Sequence, residues 1–319
     1  LRRSSAASDV YKRQALGQGG VRLNLYRAAR RGTPGCGAGR FVSTPNADWE
    51  ALGARSQTRR TPSPWGEVVW RRWGPRDAPD VVLLHGGTGS WLHWVTTIPA
   101  IEAAYQVWVP DLPGMGKSDA PDKMEPVEEM VEAMGAACLS GLNALTEDRP
   151  VHVVGFSFGS MVGAFLAAWR GTGCRSYTVI GGSGLGLRYK GPGALMKPSP
   201  DLDAAQMRAV HQHNMGAVMF GNPDYRDEAA LEMQLLNAAD MRIRSHTAAA
   251  TRVMLAPLSE MVAPKYAFWG AADPFLPADR EEFESLMRQF DRTWSLIEGA
   301  GHWANYQGAE SFNAALSEI

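Results

Sequence analysis

Only three cysteines occur in the 319 residues, Cys36, Cys138 and Cys174. They lie far apart, without metal-ligand spacing and without an even-numbered framework. Neither a disulfide scaffold nor a cysteine metal site is therefore expected, and a reducing, cytoplasmic compartment is. No apolar run approaches the length needed to cross a bilayer, so no membrane role is expected. Net charge is also scarce, at −1, but unevenly spread. Residues 1–60 carry 12 Lys and Arg against 3 Asp and Glu, and the remaining 259 carry 20 against 30. The body of the chain is mildly acidic, which removes support for nucleic-acid binding.

Apolar material is present in quantity. Hydrophobic residues make up 45% of the chain and 11 are tryptophan, enough for one large α/β domain with an insertion or for two small domains. Residues 1–45 differ from the rest. They are rich in Arg, Gly and Ser, lack an apolar period, and contain no compact apolar stretch of the signal-peptide kind. A disordered or spurious basic extension is expected there; its first residues, LRRSSAASDVYKRQ, resemble translated adapter sequence.

From about residue 46 the pattern becomes regular. Thr61 to Gly66 reads as a turn and Glu67 to Trp73 as half of an edge hairpin. Short apolar runs bounded by turn residues, at Asp80–Leu84, Gln106–Val109, Val151–Val154 and Ser176–Ile180, read as buried parallel strands. Helical spacing fills the gaps, at Trp91–Ala104 and Val127–Leu145. This alternation predicts a mostly parallel sheet covered by helices on both faces. From 187 to 257 it breaks, and Asp203–Met219, Glu228–Met241 and Thr247–Leu255 read as helices instead. Strands resume at Tyr266–Trp269 and Thr293–Ile297, with helices at Asp279–Gln289 and from Ala309. The expected organisation is a core of residues 46–186 and 258–319 with a helical lid, 187–257, inserted over the strand ends, where ligands of such sheets bind. Six lid methionines (196, 207, 215, 219, 233 and 241) would suit a roomy acyl pocket, although ordinary packing explains them better.

The most informative stretch is VHVVGFSFGSMVGA, residues 151–164. A serine between glycines, in Gly155-Phe156-Ser157-Phe158-Gly159, stands where a strand meets a helix, the setting of a nucleophile elbow. The turn strains the serine backbone, and the flanking positions must be nearly free of side chain. A serine hydroxyl needs a base to take its proton and a third group to orient the base. The strand at Thr293–Ile297 ends in Gly299-Ala300-Gly301-His302-Trp303, and that at Tyr266–Trp269 ends in Gly270-Ala271-Ala272-Asp273-Pro274. Ser157, Asp273 and His302 thus follow strand ends on one edge of the sheet. Asp273 also suits a turn before proline, and Glu298 is the alternative acid. His85 reads as a structural support of the loop after it; His93, His211, His213 and His246 read as surface or lid residues.

Two backbone N–H groups are needed for a developing oxyanion. Phe158 supplies one and the Gly86-Gly87 turn the other, through Gly87. That turn matches neither phosphate-loop pattern, so a nucleotide site is not expected.

VLLHGGTGSW, DLPGMGKSD, VHVVGFSFGS, WGAADPF and GAGHWANYQGAESFNAAL together resemble the α/β-hydrolase superfamily over residues 60–186 and 260–319. The C-terminal stretch is also similar to the meta-cleavage-product hydrolases, which split carbon–carbon bonds. That resemblance implies an asparagine before the serine, where this chain has Phe156. Haloalkane dehalogenases and epoxide hydrolases use an aspartate nucleophile, which Ser157 argues against. A serine hydrolase of small, largely apolar esters or lactones is expected. It needs no cofactor or metal, and its partner is a small molecule, with Gly86, Trp91, Phe156 and Trp303 around the substrate. Carbon–carbon hydrolysis and a slow-turnover ligand receptor are the alternatives.

Overall fold

In a computed structural model of the chain, residues 48–121, 126–243, 245–289 and 292–319 are described. The extension expected over residues 1–45, with Cys36, lies outside them. Eight strands form one sheet: β1 (Gln57–Ser63), β2 (Gly66–Trp73), β3 (Asp80–Leu84), β4 (Gln106–Pro110), β5 (Val151–Phe156), β6 (Cys174–Ile180), β7 (Lys265–Gly270) and β8 (Arg292–Ile297). Their spatial order is β1-β2-β4-β3-β5-β6-β7-β8. The β1–β2 and β2–β4 pairs are antiparallel, and every pair from β4 to β8 is parallel.

Period-two alternation explains why the central strands are apolar throughout. Val82 and Leu84 of β3 pack in one core layer with α3 (Val127–Thr146) and α4 (Phe158–Arg170), through Met134, Leu142 and Val162. Val81 and Leu83 pack on the opposite face, with Trp94, Ile98 and Phe312. A strand covered on both faces has no polar side to show. Between β6 and β7 the described residues contain α5 (Ala204–Met219), α6 (Glu228–Ala239) and α7 (Leu255–Glu260) and no strand, apart from a single bridge of Tyr189 to Pro277. Asp203 caps α5 and Asp227 caps α6, each accepting from a backbone N–H three residues on.

Three sequence expectations are corrected. Thr61 to Ser63 continue β1, so the turn shrinks to Pro64-Trp65; Pro62 is accommodated because β1 is an edge strand. Trp91 to Ala104 is not one helix but a 3₁₀ turn at Trp91–Trp94 and a short α2 at Ile98–Ile101. The β-branched run Thr96-Thr97-Ile98 and Pro99, which lacks an N–H, break the ladder. Thr247 to Leu255 is likewise interrupted, with a 3₁₀ turn at His246–Ala250. There Gly184 N and Gly186 N donate to Ala249 O and Thr251 O, and Met254 N donates to Gly184 O. These tertiary bonds displace the helical ones.

The sheet changes direction of growth at its centre. From β3 the chain moves to β4 on one side, then returns to place β5 on the other. The crevice beyond the C-terminal ends of β3 and β5 is where such sheets bind ligands. The loop after β3 begins at His85, and Ser157 follows β5.

Candidate active site

Ser157 links β5 to α4 with φ +51° and ψ −118°. A non-glycine residue in this region is strained by about 1–3 kcal/mol and persists only where its surroundings hold it. Here Ser157 N donates to Ile180 O, and Ser157 O accepts from both Ser160 N and Ser160 Oγ. The glycines on either side answer to sterics. A Cβ on Gly155 would lie 2.5 Å from Ser160 Cα, and one on Gly159 would lie 2.3 Å from Leu84 O and 2.4 Å from His85 O. No side chain fits at either position if α4 is to pack on β3 and β5.

The structure brings the three expected residues together. Ser157 Oγ lies 2.9 Å from His302 Nε2, and His302 Nδ1 lies 2.9 Å from Asp273 Oδ2. Asp273 and His302 are both buried. The second carboxylate oxygen of Asp273 accepts from Phe275 N at 2.7 Å, so the acid is held at both oxygens. The His302 ring is flanked by Phe156 and Phe275, with centroids 5.1 and 4.7 Å away. Glu298, the alternative acid, is exposed.

The loop after β3 is fixed by two histidines whose tautomers follow from their bonds. His85 Nε2 accepts from Leu112 N at 2.9 Å, which leaves its proton on Nδ1, 2.8 Å from Gly86 O. Because the Gly86–Gly87 peptide is planar and trans, anchoring Gly86 O turns Gly87 N–H the opposite way. His93 Nδ1 accepts from Gly86 N, which puts the His93 proton on Nε2. Among the described residues no hydrogen bond engages Gly87 N or Phe158 N. Both belong to residues lining the cavity in front of Ser157, and Phe158 opens the 13-residue α4, whose N-terminus favours negative charge.

His93 corrects a sequence expectation. It is fully buried behind the loop rather than at the surface, and its carbonyl accepts from Trp303 Nε1 and Asn305 Nδ2. Burial pushes the His93 imidazole well below its ordinary pKa, and burial takes His85 down to about 4 against an opposing bond to Gly86. In an unfolded chain His85 protonates near 6.5, so the unfolded state accepts a proton that the folded state refuses. Stability is then complete above pH 6.5 and falls as the pH drops toward 4, by about 3 kcal/mol from His85 alone. Urea unfolding of the wild type and of His85→Asn at pH 7 and pH 4 measures this. The stability gap between them should narrow by about that amount at the lower pH, and an unchanged gap would remove His85 as the source.

The cavity measures about 180 Å³. Phe156, Met161, Val218, Met219 and Phe275 make its apolar wall, and Thr88, Ser183, Ser245 and His246 supply polar atoms. Gly86 and Phe156 line it as the sequence indicates, whereas Trp91 and Trp303 do not. Trp91 packs on Trp73 and beneath the Arg71 guanidinium. Trp303 is stacked on Tyr306 with its indole N–H bound to His93 O. His246, expected at the surface or in the lid, is exposed and lines the cavity. Sequence reasoning missed Met161, Ser183, Val218, Ser245 and Phe275. Two of these carried a signal: Met161 lies one helical turn beyond Ser157, and Phe275 follows Asp273-Pro274. Met219, counted among the lid methionines, reaches the cavity, whereas Met215 and Met233 are buried in the core and Met196 is exposed.

Comparison with known proteins agrees with this architecture. A family model described as the alpha/beta hydrolase family matches residues 81–315, and the chain belongs to that family. It is 27% identical, over 73% of its length and 84% of the relative's, to a 2-hydroxy-6-oxo-6-phenylhexa-2,4-dienoate hydrolase of Burkholderia cepacia. A shorter match, 33% identical over 38% of this chain and 40% of the relative, is to the magnesium-chelatase 30 kDa subunit of Rhodobacter capsulatus. Among solved structures, a carboxylesterase of Bacillus subtilis superposes with a TM-score of 0.63 at 16% identity, covering 85% of this chain and 95% of that one. At that identity the likeness concerns the fold. Among the described residues no helix is long and apolar enough to cross a membrane.

Proposed function

We propose that the protein is a cofactor-independent serine hydrolase that cleaves a small, largely apolar carboxylic ester or lactone through an acyl-enzyme. The observation that carries this reading is the continuous hydrogen-bonded chain from Asp273 through His302 to Ser157 Oγ. His302 Nε2 takes the Ser157 proton as Oγ attacks the carbonyl carbon, and Asp273 stabilises the imidazolium that forms. The N–H groups of Gly87 and Phe158 receive the oxyanion in a site where they are already oriented. His302 then returns the proton to the leaving alkoxide, and water activated by the same imidazole releases the acid. The helical segment 187–257 acts as a lid, contributing Val218, Met219, Ser245 and His246 to the substrate cavity.

Cavity size sets the substrate class. An apolar void of about 150 Å³ is known to hold benzene, so about 180 Å³ suits a compact acyl group. Across p-nitrophenyl esters from acetate to decanoate, kcat/KM should peak at butanoate or hexanoate and fall by roughly tenfold or more at decanoate, as added methylenes leave the cavity. A rate still rising at decanoate would show that the pocket is not compact.

Carbon–carbon hydrolysis is the second reading, favoured by the names of relatives such as the Burkholderia cepacia enzyme. Phe156, buried beside His302, weighs against it, because an aromatic ring stands where those enzymes' motif implies a polar asparagine. Comparing kcat/KM for 2-hydroxy-6-oxo-6-phenylhexa-2,4-dienoate and for p-nitrophenyl butanoate separates the two. A higher value for the dienoate would replace the ester reading.

A further inference from the structure

A second cavity, about 280 Å³, shares no lining residue with the cavity at Ser157. One wall comes from the sheet region, with Arg71, Trp91 and Asp111. The other comes from α6 and its end, with Leu236, Asn237 and Asp240. We propose that this cavity is a second binding site, for a small organic carboxylate with a flat apolar body, held between the sheet edge and α6.

Charge is the first reason. Lys117 and Asp240 neutralise each other at 2.7 Å. Among the described residues, no carboxylate lies within ion-pair distance of the Arg71 guanidinium, which bonds only Ser56 Oγ and rests over the Trp91 ring. Burial raises the Asp111 carboxyl toward its neutral form, against the opposing effects of the Lys117 backbone N–H and the Arg71 charge. Arg71 is thus the cation of the lining that no ion pair takes up among the described residues. Hydrogen bonding is the second reason. Arg71 Nε and Asn237 Nδ2 are buried donors without a partner, while Asn237 Oδ1 is taken by Ser90 Oγ. Such atoms cost about 1–3 kcal/mol each when left unmade, and a carboxylate offers an acceptor for each. Shape is the third. Trp49, Trp91 and Leu236 provide an apolar surface that a flat ring covers and that an inorganic phosphate would leave bare.

Benzoate is the probe. Titrated calorimetrically into the full chain, it should bind, while benzyl alcohol, with the same ring and no charge, should bind at least ten times more weakly. Asn237→Asp keeps the shape, removes the donor and adds a repelling charge; Arg71→Met removes the cation. Each should weaken benzoate at least tenfold, and a benzoate-soaked crystal should show the ring between Trp91 and Leu236. If Arg71→Met fails to fold, Asn237→Asp carries the test alone. No binding up to about 10 mM, unchanged affinity in Asn237→Asp, or benzoate found only beside Ser157 would overturn the assignment.

Discussion

Replacing Ser157 with alanine should lower kcat by roughly five to six orders of magnitude, because members of such a unit fail together when one is removed. In the proposed mechanism the hydroxyl supplies the attacking atom and little else. Its one side-chain bond is to His302 Nε2, and Ser157 is held in place by its backbone, through Ile180 O and Ser160. Alanine meets the same strain at φ +51° as serine does, so the melting temperature should move little. Two measurements check this: ester turnover, and covalent labelling by a fluorophosphonate, which should mark the wild type and leave Ser157→Ala unmarked. A wild type that resists labelling while binding ligands would favour a receptor built on the same fold.

Gly159→Ala should be strongly destabilising for a change of a single methyl group. The new Cβ would sit 2.3 Å from Leu84 O and 2.4 Å from His85 O. Both obstacles are backbone of β3 and its loop, so neither can swing aside as a flexible side chain would. To accept the methyl, α4 must lift from the sheet, which costs about 3 kcal/mol or more, or roughly 10 °C in Tm for a domain of this size. Gly299→Ala is the control. Gly299 has φ +74° with nothing within 4 Å of the added carbon, so it should lose only about 1 kcal/mol from backbone strain. Equal losses in the two variants would show that close approach is not what Gly159 provides.

How legible was this site beforehand? Gly155, Ser157 and Gly159 were readable because their constraint is local: a strand, a strained turn and a helix meet within a few residues, and sterics restrict the neighbours. Asp273 and His302 were readable because each follows a strand, and parallel strands deliver their C-terminal ends to one edge. The helix boundaries were readable where caps mark them, as Asp203 does for α5. Trp91 and Trp303 were not, since an aromatic side chain in a loop can turn toward ligand or core. Which it does depends on partners far along the chain, such as Arg71 for one and His93 O for the other. His93 failed for the same reason: its burial depends on Trp303 and Asn305, more than 200 residues later. Ser245 and His246 enter the cavity through a segment whose backbone bonds to the loop at Gly184 and Gly186, a pairing that no periodicity announces.

The order of the strands bears on how the chain acquires its activity. Ser157 and His302 meet across 145 positions, and β8, which precedes His302, pairs only with β7 at the far edge of the sheet. Contacts of such separation carry a large loop-closure cost and form slowly. During refolding, the helical circular dichroism signal should therefore return first, carried by local elements such as the 20-residue α3. Hydrolase activity should lag behind it, waiting for the C-terminal segment that carries the parallel strands β7 and β8 to dock and complete the site.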